Sequence, residues 1–401
     1  MKCLYSCNEI AGQSLVKDAV RSGEICINDI ASSDTELHIS FSLKRKPHTC
    51  PHCSHITEQI HDYRTSIIKD LPLMGKRTFL HYRKRRYHCP CCKKHFYETF
   101  RLLPKYCRIT TRLAFYAIHL LKNRYSVHSS AKLLGISNSS VFRRLKDIRY
   151  PKPKHLPKVL SIDEFKGNSG GQKFHAILTD AHNHQLFDIL PTRSQTAVMQ
   201  YLLSFPNRKE VKYLISDMNQ VYRDLALQVF PNATIVIDKF HVVRYITWAL
   251  ENVRKRIQKQ MHPSKRKYFK RSRRLLLTHK SKLNQEGLDA LELMLLQSQD
   301  LAVAYHLKEL FYDFMKSTDR NEASKKLKFF ILSTQASGLK EFDSCLTMLG
   351  NWSKYILNAF DCPYTNGFTE GTNNAIKVIK RNAFGYRNFD NFRNRIFLAL
   401  T

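Results

Sequence analysis

The stretch Val159-Leu-Ser-Ile-Asp-Glu-Phe165 sets a carboxylate inside an apolar run, and the segments that follow it decide the architecture. Residues 172–179 and 184–190 are likewise apolar or alternating, separated by Gly167-Asn-Ser-Gly-Gly171 and Asp180-Ala-His-Asn183. Turn residues between alternating runs predict a three-strand antiparallel meander over 158–165, 172–179 and 184–190. A helix pattern capped by Ser194 covers 194–205, a fourth strand 211–216, a second helix 219–230 and a fifth strand 233–238. Hairpin strands followed by alternating helix and strand give a mixed α/β layer order. Asp163 then lies within the first strand, and Asp217 ends the fourth.

Downstream, 245–360 reads as helical and strongly basic, with Arg254-Lys-Arg-Ile-Gln-Lys-Gln-Met-His-Pro-Ser-Lys-Arg-Lys-Tyr-Phe-Lys-Arg-Ser-Arg-Arg274 nearly free of acids. Such a run predicts an all-α insertion with a phosphate-binding surface. Beyond it, Glu370, Asn374 and Lys377 fall at i, i+4 and i+7, on one predicted helical face, with Ala375, Ile376 and Ile379 opposite. A carboxylate, an amide and an ammonium in line suit a metal beside a phosphate. Asp163, Asp217 and Glu370 are therefore candidate ligands for two divalent metals, which would clamp both oxygens of a phosphodiester exchange.

Upstream, Cys50-Pro-His-Cys53 and Cys89-Pro-Cys-Cys92 form a paired CxxC pattern. Two such turns can close a tetrahedral Zn²⁺ site on Cys50, Cys53, Cys89 and Cys92. Cys91, His52, His88 and His95 are competitors for a ligand place, whereas Cys3 and Cys7 lack a second pair. The intervening residues 54–88 exceed the usual gap of about 15–20 and must fold back, and strands are expected at 36–43, 77–83 and 85–88. From 108 to 149 the rhythm is helix-turn-helix. Thr110 or Thr111 caps one helix, 126–134 forms a second, Gly135 turns the chain and Ser137 caps a third. Val141, Leu145 and Ile148 face inward, leaving Asn138, Ser139, Ser140, Arg143, Arg144 and Lys146 for DNA. Pro151-Lys-Pro-Lys-His-Leu-Pro157 cannot continue a helix and marks a boundary.

The bulk composition agrees. A formal net charge of +33 over 401 residues calls for a polyanionic partner. No window holds about 18 uninterrupted apolar residues, so no spanning helix is expected and membrane is disfavoured. The start shows no signal-peptide pattern, which makes a cytoplasmic, nucleoid-associated protein the expectation. With 11 cysteines in such a chain, the paired ones suggest metal rather than disulfides.

The strand order matches the ribonuclease H-like topology, in which the first and fourth strands carry acidic residues. The whole chain resembles insertion-sequence transposases of the DDE class, in the ISL-three family. The zinc knuckles at 50–92, the helices at 108–148, Ser161-Ile-Asp-Glu-Phe-Lys-Gly167, Asp217-Met-Asn-Gln-Val-Tyr222 continuing to 244, and Glu370-Gly-Thr-Asn-Asn-Ala-Ile-Lys377 with Gly385-Tyr-Arg-Asn-Phe389 carry the resemblance. It implies Asp163, Asp217 and Glu370 as the metal-binding triad, two Mg²⁺ or Mn²⁺ ions, and terminal inverted repeats of double-stranded DNA as ligand. It also implies a homodimer or larger synaptic complex. Asp238 and His241 form a DxxH after the fifth strand, which makes Asp238 the rival of Asp217 and His241 a supporting residue.

The expected organisation is a zinc module at 1–105, a helix-turn-helix domain at 106–150, a ribonuclease H-like domain at 158–244 and 361–401, and an all-α insertion at 245–360. Two alternatives stay open: a ribonuclease H-like nuclease without strand transfer, and a zinc/helix-turn-helix regulator with an inactive body.

Overall fold

The computed structural model describes residues 24–100, 103, 107–271 and 273–401, so Cys3 and Cys7 lie outside the described residues. The chain divides into two compact units, one running to Pro151 and taking in Ile376–Thr401, the other Lys152–Ala375.

The first unit opens with a sheet built from β1 (Ile25–Ser32), β2 (Glu36–Leu43), β5 (Ile60–Leu73), β6 (Lys76–His88) and β7 (His95–Tyr97). The short pair β3 (His48–Thr49) and β4 (Ile56–Thr57) lies beside the first CxxC turn. The strand order is β1-β2-β6-β5, with β7 also on β6. The two expected strands at 77–83 and 85–88 are one strand, because the β5–β6 ladder runs unbroken through Lys84, which faces Arg64. Neither β1 nor the long β5 was expected. β1 exposes nearly every side chain, and β5 is polar along much of its length, so neither carries a clean apolar alternation. Phe41, Leu43, Ile68 and Tyr82 form the small core under this sheet.

Three helices follow: α1 (Thr111–Lys122), α2 (Val127–Leu134) and α3 (Asn138–Asp147). Thr110, Ser126 and Ser137 each accept a backbone N–H at the start of their helix. Gly135 ends α2 at φ 63°, a left-handed conformation that favours glycine. Ala131, Val141, Leu145 and Ile148 are buried in the core they share. Buried Asp70 of β5 accepts from Thr110 (2.6 Å) and Arg112 (2.7 Å), fastening sheet to helices.

The second unit holds β8 (Val159–Ser169), β9 (Gln172–Asp180), β10 (Gln185–Leu190), α4 (Gln195–Leu203), β11 (Tyr213–Ser216), α5 (Gln220–Val229) and β12 (Thr234–Ile237). Their order is β10-β9-β8-β11-β12. β9 is antiparallel to β8 and β10, whereas β11 is parallel to both β8 and β12. Leu160 and Ile162 point into the core formed with α4 and α5. Alternation sends Ser161 and Asp163 to the other side of the sheet. Gly167 lets the chain pass His175 closely, since a Cβ there would sit 2.0 Å from the imidazole.

From α6 (Lys239–Lys259) onward the chain is helical: α7 (Pro263–Arg271), α8 (Arg273–Leu277), α9 (Gln285–Leu295), α10 (Gln299–Met315), α11 (Arg320–Ser337) and α12 (Asp343–Leu357). One large core, from Val242 to Ile356, unites them. The chain ends with α13 (Gly367–Asn382) and α14 (Phe389–Leu400). None of the described helices is long and apolar enough to cross a membrane.

Residues 361–401 were expected to sit together with 158–244, but the division falls within α13, and α14 joins the three-helix group. The cause is specific. Leu398 enters the α1–α3 core, and buried Arg395 donates to the carbonyl of Leu121, in the last turn of α1, and to that of Tyr125, in the turn that follows it. Arg395→Ala removes both hydrogen bonds and opens a cavity. It should lower the stability of this unit by about 3 kcal/mol, read by chemical denaturation; an unchanged midpoint would mean that α14 is not part of its core.

Candidate active site and metal-ligand clusters

Three strands and a helix bring acids together in the second unit. Asp163 lies in β8, Asp217 directly after β11, Asp238 directly after β12 as N-cap of α6, and Glu370 in the first turn of α13. Because β8, β11 and β12 are parallel neighbours, their C-terminal halves open on one edge, where ligands of α/β sheets collect.

Asp163 is held from two sides. The Glu164 backbone N–H donates to its Oδ1 (2.7 Å), and the buried Asn373 amide donates to its Oδ2 (2.9 Å). Glu164 itself pairs with Arg193 at 2.5 Å. Asp238 accepts the Phe240 N–H and stands 3.7 Å from His241 Nδ1. Asp238, His241 and Glu370 offer ligand atoms that all lie within 4.8 Å of one another. Asp217 keeps a buried Oδ1 with no hydrogen-bond partner among the described residues.

The electrostatics couple these groups. Burial pushes Asp163 up to about 6, with the charge of Asp217 acting in the same direction. Burial also raises Asp217, opposed by His241 and reinforced by Glu164 and Asp238. Asp238 raises His241 against the effect of burial, and Asp217 and Asp163 add to it. A crowd of carboxylates with one imidazole among them favours any cation that can enter.

A buried hydrogen-bonded chain sets the distance between β8 and α13. Ser161 Oγ donates to Asn366 Oδ1 (2.5 Å), and Thr369 Oγ1 donates to Ser161 Oγ (3.1 Å). Thr179 Oγ1 lies 2.7 Å from Thr369 Oγ1. Since the Thr369 proton is directed at Ser161, Thr179 must be the donor to Thr369. All four side chains are fully buried. Glu370 follows Thr369 directly, so its place over the sheet is fixed by this chain.

Of the residues predicted on the Glu370 face, Asn374 and Lys377 are exposed, whereas Ile376 and Ile379 are buried as expected. The amide that reaches Asp163 belongs to the neighbouring Asn373. One residue along a helix is a turn of about 100°, enough to exchange the two asparagines of Asn373-Asn374. Ser161, Thr179, Asn366 and Thr369 were also missed; for Ser161 and Thr179 a hydroxyl in an otherwise apolar run was the available signal.

In the first unit, Cys50, Cys53, Cys89 and Cys92 have sulfurs within 4.8 Å of one another. Cys50 and Cys92 are 3.6 Å apart, Cys53 and Cys89 3.5 Å. A zinc tetrahedron with bonds near 2.3 Å spaces its sulfurs about 3.8 Å apart, so the four thiols fit that ion. Hydrogen bonding from the Cys92 backbone, opposed by burial and reinforced by Cys53, holds Cys89 down to about 6, toward the thiolate a metal needs. Cys91, His52, His88 and His95 are not in this group.

On α3, Asn138, Ser139, Arg143 and Lys146 are exposed. Ser140 is engaged with the Ser137 cap (2.9 Å), and Arg144 pairs with Asp147 (3.0 Å).

The comparisons with known proteins meet these observations at both ends of the chain. A family described as transposase matches residues 160–396, which contain every acid of the second-unit cluster. The zinc-finger of transposases IS204, IS1001, IS1096 and IS1165 matches residues 46–92, which hold the four cysteines. The chain belongs to the ISL-three family of transposases. A transposase for insertion sequence element IS1001 from Bordetella parapertussis is 27% identical over 361 residues, covering 87% of this chain and 88% of that one. A protein of Lactococcus lactis named ATP-dependent protease is 33% identical over 110 residues, 27% of this chain and 34% of its own. That shorter likeness leaves the family assignment unchanged.

Two outcomes test how this transposase builds the site. Thr369→Val keeps the shape but removes the central hydroxyl of the buried chain. It should cost about 1–3 kcal/mol and reduce DNA cleavage more than DNA binding; unchanged stability and activity would mean that the chain does not position Glu370. The raised Asp163 also links stability to pH. A folded-state value near 6 means the fold favours the neutral acid, so this contribution is fully present below the ordinary carboxylate range and is lost as pH rises through about 6. Without added divalent metal, thermal stability should therefore fall between pH 4 and 7 less steeply for Asp163→Asn than for the unaltered protein; parallel curves would refute the shift.

Proposed function

We propose that this DNA transposase binds the terminal inverted repeats of its element, cleaves there to free a 3′-OH, and joins that end to target DNA. The reading places Asp163, Asp217 and Glu370 as carboxylates for two Mg²⁺ or Mn²⁺ ions in a ribonuclease H-like body. The observation that carries it is Asp217 Oδ1, buried and without a hydrogen-bond partner among the described residues, electrostatically coupled to Asp163. An acceptor in that position suits a cation. When bound there, a divalent ion supplies Lewis acidity to a phosphodiester and makes a bound water more acidic.

The protein's own groups have separate tasks. Asn373 and the Glu164 N–H fix the plane of the Asp163 carboxylate. Arg193 neutralises Glu164, so that this adjacent acid does not compete with Asp163. Asp238 keeps His241 protonated to higher pH, and the imidazolium offsets carboxylate repulsion and can hold a phosphate oxygen. In the first unit, α2 and α3 act as a helix-turn-helix, with Ser139, Arg143 and Lys146 meeting phosphates and base edges in a major groove. The Cys₄ zinc staples the sheet ahead of it. Two or more copies bring paired ends together, and chromosomal DNA as substrate puts this work in the bacterial cytoplasm.

A second reading exchanges Asp217 for Asp238, favoured by the ligand-sized group of Asp238, His241 and Glu370. Iron-directed backbone cleavage separates the two. With Fe²⁺ in place of Mg²⁺, cuts near 163, 217 and 370 should vanish in Asp217→Asn and persist in Asp238→Asn; the reverse pattern selects Asp238. In an assay with labelled element ends, Mg²⁺ and a target plasmid, Asp163→Ala should bind ends normally and lose both cleavage and joining. Retained strand transfer in that variant would sink the assignment.

A further inference from the structure

The helix that starts at the candidate active site carries an exposed face that the proposed chemistry leaves unused. Phe240 and Trp248 of α6 are 62% and 53% exposed, with exposed Arg244 midway between them. Positions i, i+4 and i+8 lie on one helical face, about 6 Å apart along the axis. Lys255 and Lys259 continue the same exposed side. The opposite side is the core face, with Val242, Ile246, Ala249, Leu250, Val253 and Ile257 all buried. A large indole left in water beside a filled core is not a packing residue.

The chemistry of the face is specific. The Arg244 guanidinium lies 4.5 Å from the centre of the Trp248 ring. The Phe240 ring stands edge-on to His241 at 5.5 Å, so the aromatic row begins at the Asp238–His241–Glu370 group itself. The single acid of α6, Glu251, is buried and bonded to Arg254 (2.9 Å) and Arg273 (2.8 Å). The exposed face therefore presents rings and positive charge and no carboxylate. Alternating π-faces and cations are what a single strand of nucleic acid takes, its bases stacking on the rings and its phosphates lying on the charges.

We propose that Phe240, Arg244 and Trp248 form a base-stacking platform for unpaired nucleotides of the DNA strand entering the active site. One base stacks on Phe240 and another on Trp248, with the phosphate between them on Arg244 and the following backbone on Lys255 and Lys259. The platform rests on the reading that the strand reacts at the acidic cluster. It adds that the end must be unpaired there, over about two nucleotides. A duplex lying in a groove would need no exposed indole.

The protein reports on this directly, because it has two tryptophans and Trp352 is only 8% exposed. Full-length protein without added Mg²⁺ or Mn²⁺ is titrated with a short single-stranded oligonucleotide and with the blunt duplex of the same sequence. The single strand should quench the emission and the duplex much less. Trp248→Ala should abolish the quench and weaken single-strand binding roughly tenfold or more, while Trp248→Phe restores most of the affinity. Arg244→Ala should weaken binding and flatten its salt dependence. Since Trp248 is exposed, thermal stability of these variants should match the parent. Unchanged single-strand affinity in Trp248→Ala and Phe240→Ala overturns the proposal, as does an equal loss for duplex and single strand. Unchanged DNA binding with an altered sedimentation coefficient also overturns it and makes the face a contact between copies. Asp163→Ala should quench like the parent, so failure of the carboxylate assignment and failure of the platform give different results.

Discussion

The buried chain Thr179–Thr369–Ser161–Asn366 is the constraint on which the rest of the second unit depends. α13 is separated in sequence from the sheet by the whole helical insertion, yet it must set Glu370 against strand ends some two hundred residues earlier. Apolar contact alone would hold it loosely, since hydrophobic packing has no direction. A run of hydroxyls with one consistent proton order fixes both height and rotation. Its cost is visible in Asn366, whose buried Nδ2 has no partner among the described residues. An unmet donor of this kind is tolerated where position matters more than stability.

The same logic explains why so many acids can share one edge. Glu164 is matched by Arg193, and Asp238 by His241 and the α6 N-terminus. Their neighbours Asp163 and Asp217 are left raised by burial. The matched acids shape the field and the raised ones remain responsive to an added cation.

How far the sequence was legible follows from which physical signals are local. The three antiparallel strands, the next two strands and their helices came from period-two alternation and turn residues, and Thr110, Ser126, Ser137 and Gly135 are caps whose chemistry is confined to one turn. The CxxC pair was legible because ligand spacing is local too. What was not legible depended on partners far away in sequence. β5 needs β6 to make sense of its polar residues. Asn373 could be told from Asn374 only by knowing which way α13 faces. α14 ended against α1 because the carbonyls of Leu121 and Tyr125 accept from Arg395, a relation that no window around residue 395 contains.

α6 shows how one element can carry two requirements without conflict. Its first turn must be polar, because Asp238 caps it and His241 faces the acids. Its buried side must be apolar, because it is the spine of the insertion core. Neither demand reaches the third side, where Phe240, Arg244 and Trp248 stand in water. Residues there are free of folding constraint, and an exposed indole and phenyl ring bring no stability that a lysine or glutamine would not. Their chemistry is therefore best understood from what approaches that side. For a transposase with net charge +33, the approaching body is a polyanion with flat bases, and the row of rings begins at the place where its backbone would be cut.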